Sequence, residues 1–449
     1  MRFGRRLLLG MCSAALLAGV IALPLAAQTG GAPTTPAQVP ANAAATPAPA
    51  NPQQAYTLPP DKLAKAIALD RIRNILAITG SIWGIVFLWL LLAGRAWAGL
   101  ERWAQAVSGR RWIQGLVFFA AFFVISTLAS LPLDMIGHHY GRSFDISVQG
   151  WGSWFWDQAK ALGLSLLIGV PVLLLFNWIV RRWPRRYWLG VWVVTLPILV
   201  FLIFISPFLE PIFYKFEPLQ KSHGDLVVDL EKVVARTGTS IPPERMYLMK
   251  ASVKTNGLNA YVSGIGATKR IVVWDTTAGR VPNDQVLFIF GHESGHYVLH
   301  HIPKLIAGYA VGLFFVYWAC AAFAAWMVRR FGAKWGTSEL ASRTGFVVLL
   351  FALSIAGFLL EPADNAFSRH FEHQADVYGQ EAIHGIVADP QKTTVGAFNA
   401  LGEAWLEDPN PNPFIEFWLY NHPSTQHRAY FALHYDPWAN GGHGEFFKN

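Results

Sequence analysis

Residues 285–328 read QVLFIFGHESGHYVLHHIPKLIAGYAVGLFFVYWACAAFAAWMV, and this stretch decides the fold class. Its first part is helical in pattern and carries His292-Glu293-Ser294-Gly295-His296. On a helix, residues four apart share a face, so both imidazoles can reach one ion. Glu293 then lies beside the ion's open position, where a carboxylate can accept a proton from water. The apolar run Val286–Phe290 just before it makes a polar cluster there partly buried and in need of a partner. The second part, Leu305–Val328, is long and apolar enough to cross a bilayer, which takes about 17–25 residues. A metal-binding pattern that leads straight into a membrane span puts chemistry at a membrane surface.

Five further apolar runs extend the pattern: Ile75–Ala93, Ile113–Leu133, Ala161–Val180, Trp188–Phe208 and Thr344–Leu360. The last is the shortest and also reads as a buried helix. Composition agrees with a multi-span membrane protein. Of 449 residues 53% are hydrophobic and only 14% charged, where soluble domains average about 25% charged. That balance excludes a mainly disordered chain, and two cysteines, Cys12 and Cys320, exclude a disulfide scaffold. The net charge of +8 sits in clusters beside apolar runs, as membrane topology places it, so no nucleic-acid partner is expected.

The basic clusters orient the bundle. Arg95, Arg102, Arg110 and Arg111 follow the first of these six runs. Arg181, Arg182, Arg185 and Arg186 separate the third from the fourth, and Arg329, Arg330, Lys334 and Arg343 separate the last two. Alternating spans bring all three clusters to one side, and the positive-inside bias makes that side cytoplasmic. Residues 209–304 and the C-terminal region then face the periplasm, and the protein is expected in the inner cell membrane. Residues 1–27, with Arg2, Arg5 and Arg6 ahead of an apolar run, read as a signal peptide or first membrane anchor. Residues 28–65 read as an Ala/Pro-rich disordered linker. The expected organisation continues with transmembrane helices over 70–208, a metal-site domain over 209–304, transmembrane helices over 305–360, and over 361–449 a third-ligand helix and the rest of that domain. Within 209–304, Leu226, Val227, Leu230, Val233 and Val234 recur at helical spacing, and Met246–Met249 and Ile271–Trp274 read as strands.

A catalytic zinc takes three protein ligands and keeps one position open. Glu372 is the third candidate, in Ser368-Arg369-His370-Phe371-Glu372-His373-Gln374-Ala375-Asp376. Glu372 and Asp376 lie four apart on one helix face, so one can bind the metal while the other orients a histidine ligand. His300, four residues beyond His296, competes as a ligand, but Glu372 is preferred. His301, His370 and His373 read as surface or supporting residues. Gly264-Ile265-Gly266 reads as a hairpin turn rather than a phosphate loop.

HESGH together with Ser368-Arg369-x-x-Glu372-x-x-Ala375-Asp376 resembles the Ste24 (CAAX prenyl protease type I) branch of the M48 membrane zinc peptidases, which are related to HtpX. Further segments match in the same order: Pro211–Leu219, Asn259-Ala260-Tyr261, Lys269–Thr276, and His422-Pro423 with Arg428. The resemblance covers roughly residues 70–430. It implies a predominantly α fold, a multi-span transmembrane helical bundle enclosing a chamber and capped by a small α+β zinc-peptidase domain. It also implies one Zn2+ per chain held by His292, His296 and Glu372, with Glu293 as general base and Asp376 orienting a ligand histidine. His422 and Arg428 would sit over the site, His422 stabilising the oxyanion. Asn259, Ala260 and Tyr261 would line the substrate groove, where an extended peptide could pair with the strand edge.

The expected activity is zinc-dependent endoproteolysis at the lipid bilayer. Its substrate would be a peptide or protein, prenylated C-terminal CaaX-like chains among the candidates. The alternatives are an HtpX-like quality-control protease of membrane or periplasmic proteins and, from another class, a non-proteolytic scaffold with a vestigial metal site. A transporter would rest on the span count alone, since no span holds a buried charge suited to a substrate path.

Overall fold

The computed structural model describes residues 54–264 and 266–448. The signal or anchor reading of residues 1–27, most of the linker and Cys12 lie outside them. Among the described residues six helices are long and apolar enough to cross a membrane, one for each run singled out above. Helix α1 covers Pro60–Ala93 and is followed by a short amphipathic helix α2, Ala96–Val107. Helix α3 is Arg111–Ser143, α4 is Trp151–Arg182 and α5 is Tyr187–Leu209. A π-helical turn at Ser165–Gly169 widens α4 just before Pro171, whose ring removes an N–H from the helical ladder.

The segment that follows α5 builds a small domain. Strand β1, Phe216–Pro218, precedes helix α6, Gly224–Thr237, and then come β2 (Met246–Met249), β3 (Ala260–Ser263) and β4 (Arg270–Trp274). The sheet order is β1-β2-β4-β3, with β2 and β4 parallel and both outer pairs antiparallel. Ile271, Val272, Val273 and Trp274 of the central β4 are all buried, as strands covered on both faces require. Strand β3 is an edge. Helix α7, Asn283–Val298, packs against β3 and α6. Its residues Val286–Phe290 are buried in succession, which is why this run shows no polar face.

Helix α7 stops at Leu299, and His300 takes a left-handed conformation with φ 56°, so the membrane helix α8, His301–Trp335, starts in a new direction. Helix α9 then runs unbroken over Arg343–Ala382. The Thr344–Leu360 span and the third-ligand segment, read from sequence on either side of residue 360, are therefore one rod. Every residue from Arg343 to Ser354 is buried, which places the first three turns of α9 inside the bundle. Three shorter helices complete the domain: α10 (Pro390–Trp405), α11 (Pro413–Leu419) and α12 (Thr425–His434).

Two contacts show that basic turns share one end of the bundle. Arg95 donates to the carbonyls of Ala333 and Lys334, and Arg343 donates to the carbonyl of Arg111 and pairs with Glu101. The linker expected through residue 65 ends earlier than its composition suggested. Tyr56 is fully buried, its N–H donating to Gln426 Oε1 at 2.7 Å and its hydroxyl to the Glu407 carbonyl at 3.1 Å. Proline at the first helical position then opens α1 at Pro60. With Arg73 donating to the Trp405 carbonyl at 2.8 Å and Asp70 accepting from the Tyr420 hydroxyl at 2.6 Å, the docked Tyr56 ties the entry of the first span to the small domain.

Candidate active site

Helices α7 and α9 cross where glycine meets glycine. A Cβ on Gly379 would stand 2.7 Å from the His292 backbone nitrogen, and one on Gly291 would stand 3.1 Å from the Gly379 carbonyl oxygen. Only glycine lets the two backbones come this close. The crossing brings His292 and His296 of α7 against Glu372 of α9.

There His292 Nε2 and His296 Nε2 lie 3.2 Å apart, and each is 3.5 Å from an oxygen of Glu372. One ligand atom from each of the three residues falls within 4.8 Å of the others. His292 and Glu372 are almost wholly buried. The outer nitrogens decide the protonation. His292 Nδ1 is 2.8 Å from Asp376 Oδ1, and His296 Nδ1 is 3.0 Å from the ring of His301. A neutral imidazole whose proton points outward at Nδ1 presents a lone pair at Nε2. Two such lone pairs at 3.2 Å beside a carboxylate need a cation between them, so the donor set fits a divalent metal such as zinc. Without a metal, burial alone would lower the pKa of His292, but the hydrogen bonds and charges of Asp376 and Glu372 outweigh it and hold it up at about 9, so the ring must give up its Nε2 proton to act as a ligand.

The surroundings are layered. Arg428 Nε donates to Asp376 Oδ2 at 2.8 Å and its Nη2 to Oδ1, a bidentate clamp with both side chains buried. Sequence placed Arg428 over the site beside His422. The two do line one small cavity, and the Arg428 guanidinium clamps Asp376, which in turn meets His292 Nδ1. Ser424 caps α12, accepting from His427 N, and this sets Arg428 one turn into the helix at the depth of Asp376. His422 does reach the site: its Nε2 is 2.9 Å from Glu372 Oε2, while Nδ1 contacts Asn421 Oδ1 at 2.8 Å. Glu293 sits partly exposed on α7, next to the ligand face.

His422 is held by a row of donors on α9. Asn365 Nδ2 donates to the Trp418 carbonyl, Ser368 Oγ to the Asn421 carbonyl at 2.7 Å, and Arg369 to the carbonyls of Glu416, Phe417 and Tyr420. The Ser368-Arg369 pair noted in the sequence thus closes the C-terminal end of α11 and positions the His422 turn. Asn365 lies one turn earlier on the same face and carried no sequence signal of its own.

The strand residues are placed less directly. Asn259 has its backbone fixed by Thr277, whose Oγ1 accepts from Asn259 N and donates to Asn259 O, both at 2.8 Å. The Ala260 side chain is buried in the core, and the Tyr261 hydroxyl donates to Glu210 Oε2 at 2.9 Å. Burial, followed by the Glu210 charge, pushes the Tyr261 pKa well up. What β3 offers a ligand is therefore its edge backbone rather than the Ala260 or Tyr261 side chains. His300 is exposed and is no third ligand, whereas His301 is fully buried against His296.

Residues 221–435 match the model of peptidase family M48, and residues 41–215 match that of the CAAX prenyl protease N-terminal region with five membrane helices. The chain is 32% identical over 379 residues to the uncharacterized metalloprotease YhfN of Bacillus subtilis (strain 168), covering 83% of this chain and 86% of that protein. The chain belongs to peptidase family M48. This M48 peptidase is also 25% identical to CAAX prenyl protease 1 of Saccharomyces cerevisiae, across 70% of its own length and 71% of the yeast protein's. Its fold matches the crystal structure of S. mikatae Ste24p with a TM-score of 0.73 at 22% identity, covering 84% of this chain and 90% of that one. It is a Ste24-type membrane metalloprotease, mostly helical, with a membrane chamber and a small sheet domain.

Proposed function

We propose that the enzyme is a zinc endopeptidase with one Zn2+ per chain, held by His292 Nε2, His296 Nε2 and a Glu372 oxygen. The observation that carries this is that one donor atom from each of the three residues lies within 4.8 Å of the others, with His292 and Glu372 buried and His296 half-buried. Lewis-acid activation of water and of the scissile carbonyl is the chemistry such an ion supplies. Glu293 accepts the proton of the attacking water and returns it to the leaving amine. His422 donates to the oxyanion as it develops, a role worth about 3–4 kcal/mol. Asp376, clamped by Arg428, fixes the tautomer of His292. The edge of β3 beyond Asn259, whose own N–H and carbonyl are held by Thr277, pairs with an extended peptide backbone, which gives affinity with little sequence preference.

The substrate is a peptide or protein. Relatives named CAAX prenyl protease 1 support prenylated C-terminal CaaX-like chains as candidates. The basic turns at one bundle end support placement in the inner cell membrane with the peptidase domain on the periplasmic side. Three measurements test these readings. Metal analysis of detergent-purified protein should give one zinc per chain, and His292→Ala should give none. Cleavage of matched farnesylated and plain peptides should favour the lipidated one; equal rates would point to a quality-control protease. For the side, Val253→Cys on the exposed surface should react with a membrane-impermeant maleimide in spheroplasts, and protection from it would reverse the orientation.

A further inference from the structure

The two histidines of HESGH are braced differently. His292 leans on a carboxylate, whereas His296 Nδ1 meets His301 Nδ1 at 3.0 Å, and His301 Nε2 meets Gln374 Oε1 at 3.1 Å. We propose that His301 is the positioning residue of His296, a neutral imidazole that passes a fixed hydrogen-bond direction from Gln374 on α9 to the metal ligand. The inference rests on the metal-site reading above, because it concerns how one of those ligands is oriented.

Proton bookkeeping fixes the chain. With His296 Nε2 turned to the shared donor point, its single proton sits on Nδ1 and is donated to His301 Nδ1. His301 must then accept at Nδ1, so its own proton lies on Nε2 and is donated to Gln374 Oε1. At both contacts of this chain a donor then meets an acceptor. The reverse polarity would put the His296 proton on Nε2 and remove it as a ligand.

The backbone explains why residue 301 and not residue 300 does this. Had α7 continued, residue 300 would have stacked one turn beyond His296. The left-handed residue His300, with φ 56°, turns the chain outward and brings the next side chain back beneath the ligand. His301 is fully buried, with its ring packed on Phe371 at 4.5 Å between centroids, next to Glu372. It is also the first residue of the membrane helix α8. The contact therefore joins three things at one ring: the ligand helix, the third-ligand helix and a membrane span.

The test is zinc affinity of the full-length protein in detergent, by competition with a chromogenic chelator. Substitutions are His301→Leu, His301→Gln and, as an exposed control, His300→Ala. His301→Leu should weaken zinc binding about 10–100-fold, the usual loss for such a supporting partner. His301→Gln should restore it to within about threefold, since its amide can accept from His296 and donate to Gln374. His300→Ala should bind as wild type does. Gln374→Leu provides a second variant with the ring kept, and its Co2+-loaded spectrum should shift from wild type as the His296 ring loses its fixed direction. Wild-type affinity in folded His301→Leu, or equal losses in the Leu and Gln variants, would overturn the positioning role. Failure of the wild-type chain to bind zinc would instead overturn the metal-site reading on which it rests.

Discussion

Replacing Arg428 with Met removes a guanidinium from a buried carboxylate and leaves the shape nearly unchanged. Asp376 and Arg428 side chains are 6% and 7% exposed, so little solvent screens the pair. Two charge-assisted hydrogen bonds disappear, each worth about 1.5–3 kcal/mol. Breaking a buried pair from one side costs about 3–5 kcal/mol, because the remaining charge is left without compensation. Asp376 keeps its contact with His292, which places the expected loss near the lower end, about 3 kcal/mol. Thermal unfolding in detergent with zinc present reads this loss. The double variant Asp376→Leu with Arg428→Met separates stability from function. Removing both charges should recover most of the stability, yet His292 loses its acceptor and zinc affinity should stay about 10–100-fold weakened. Wild-type stability in Arg428→Met would refute the buried clamp. Wild-type zinc affinity in the double variant would refute the role given to Asp376.

Two further outcomes follow from the helix crossing and the donor row. Gly379→Ala places a methyl 2.7 Å from the His292 backbone and should separate α7 from α9, with loss of bound zinc measured by metal analysis. Arg369→Met releases the carbonyl end of α11 and loosens His422. It should lower kcat/KM about tenfold in peptide cleavage with zinc content unchanged, since misplacement of a working group costs rate without costing the ligands.

Much of this architecture was legible in the sequence because it rests on local or strongly periodic signals. Each apolar run became a membrane-length helix, and Met246–Met249 and Ile271–Trp274 lie in the strands read from them. HESGH and the Glu372–Asp376 pair meet in space because i, i+4 spacing on each helix already put the partners on one face. What composition hid is tertiary. The Gly291–Gly379 contact joins helices far apart in sequence, and neither glycine has a local pattern that marks it. His301 reads as a surface or supporting residue, and the left-handed turn at His300 is what brings it beneath His296. The Arg428–Asp376 clamp joins α12 to α9 across 52 residues of chain, and no local pattern announces it. Tyr56 lies in a stretch whose Pro and Ala content says linker, and its docked ring, with Leu58 buried beside it, overrides that composition.

The central claim is that Glu293 works as the base beside a zinc held by His292, His296 and Glu372. The direct measurement is cleavage of a quenched peptide by purified protein, wild type against Glu293→Gln, with zinc content determined on both. Equal zinc in the two proteins and cleavage by the wild type alone are expected. Equal cleavage by both would contradict it, as would a zinc-loaded wild type that cuts no peptide.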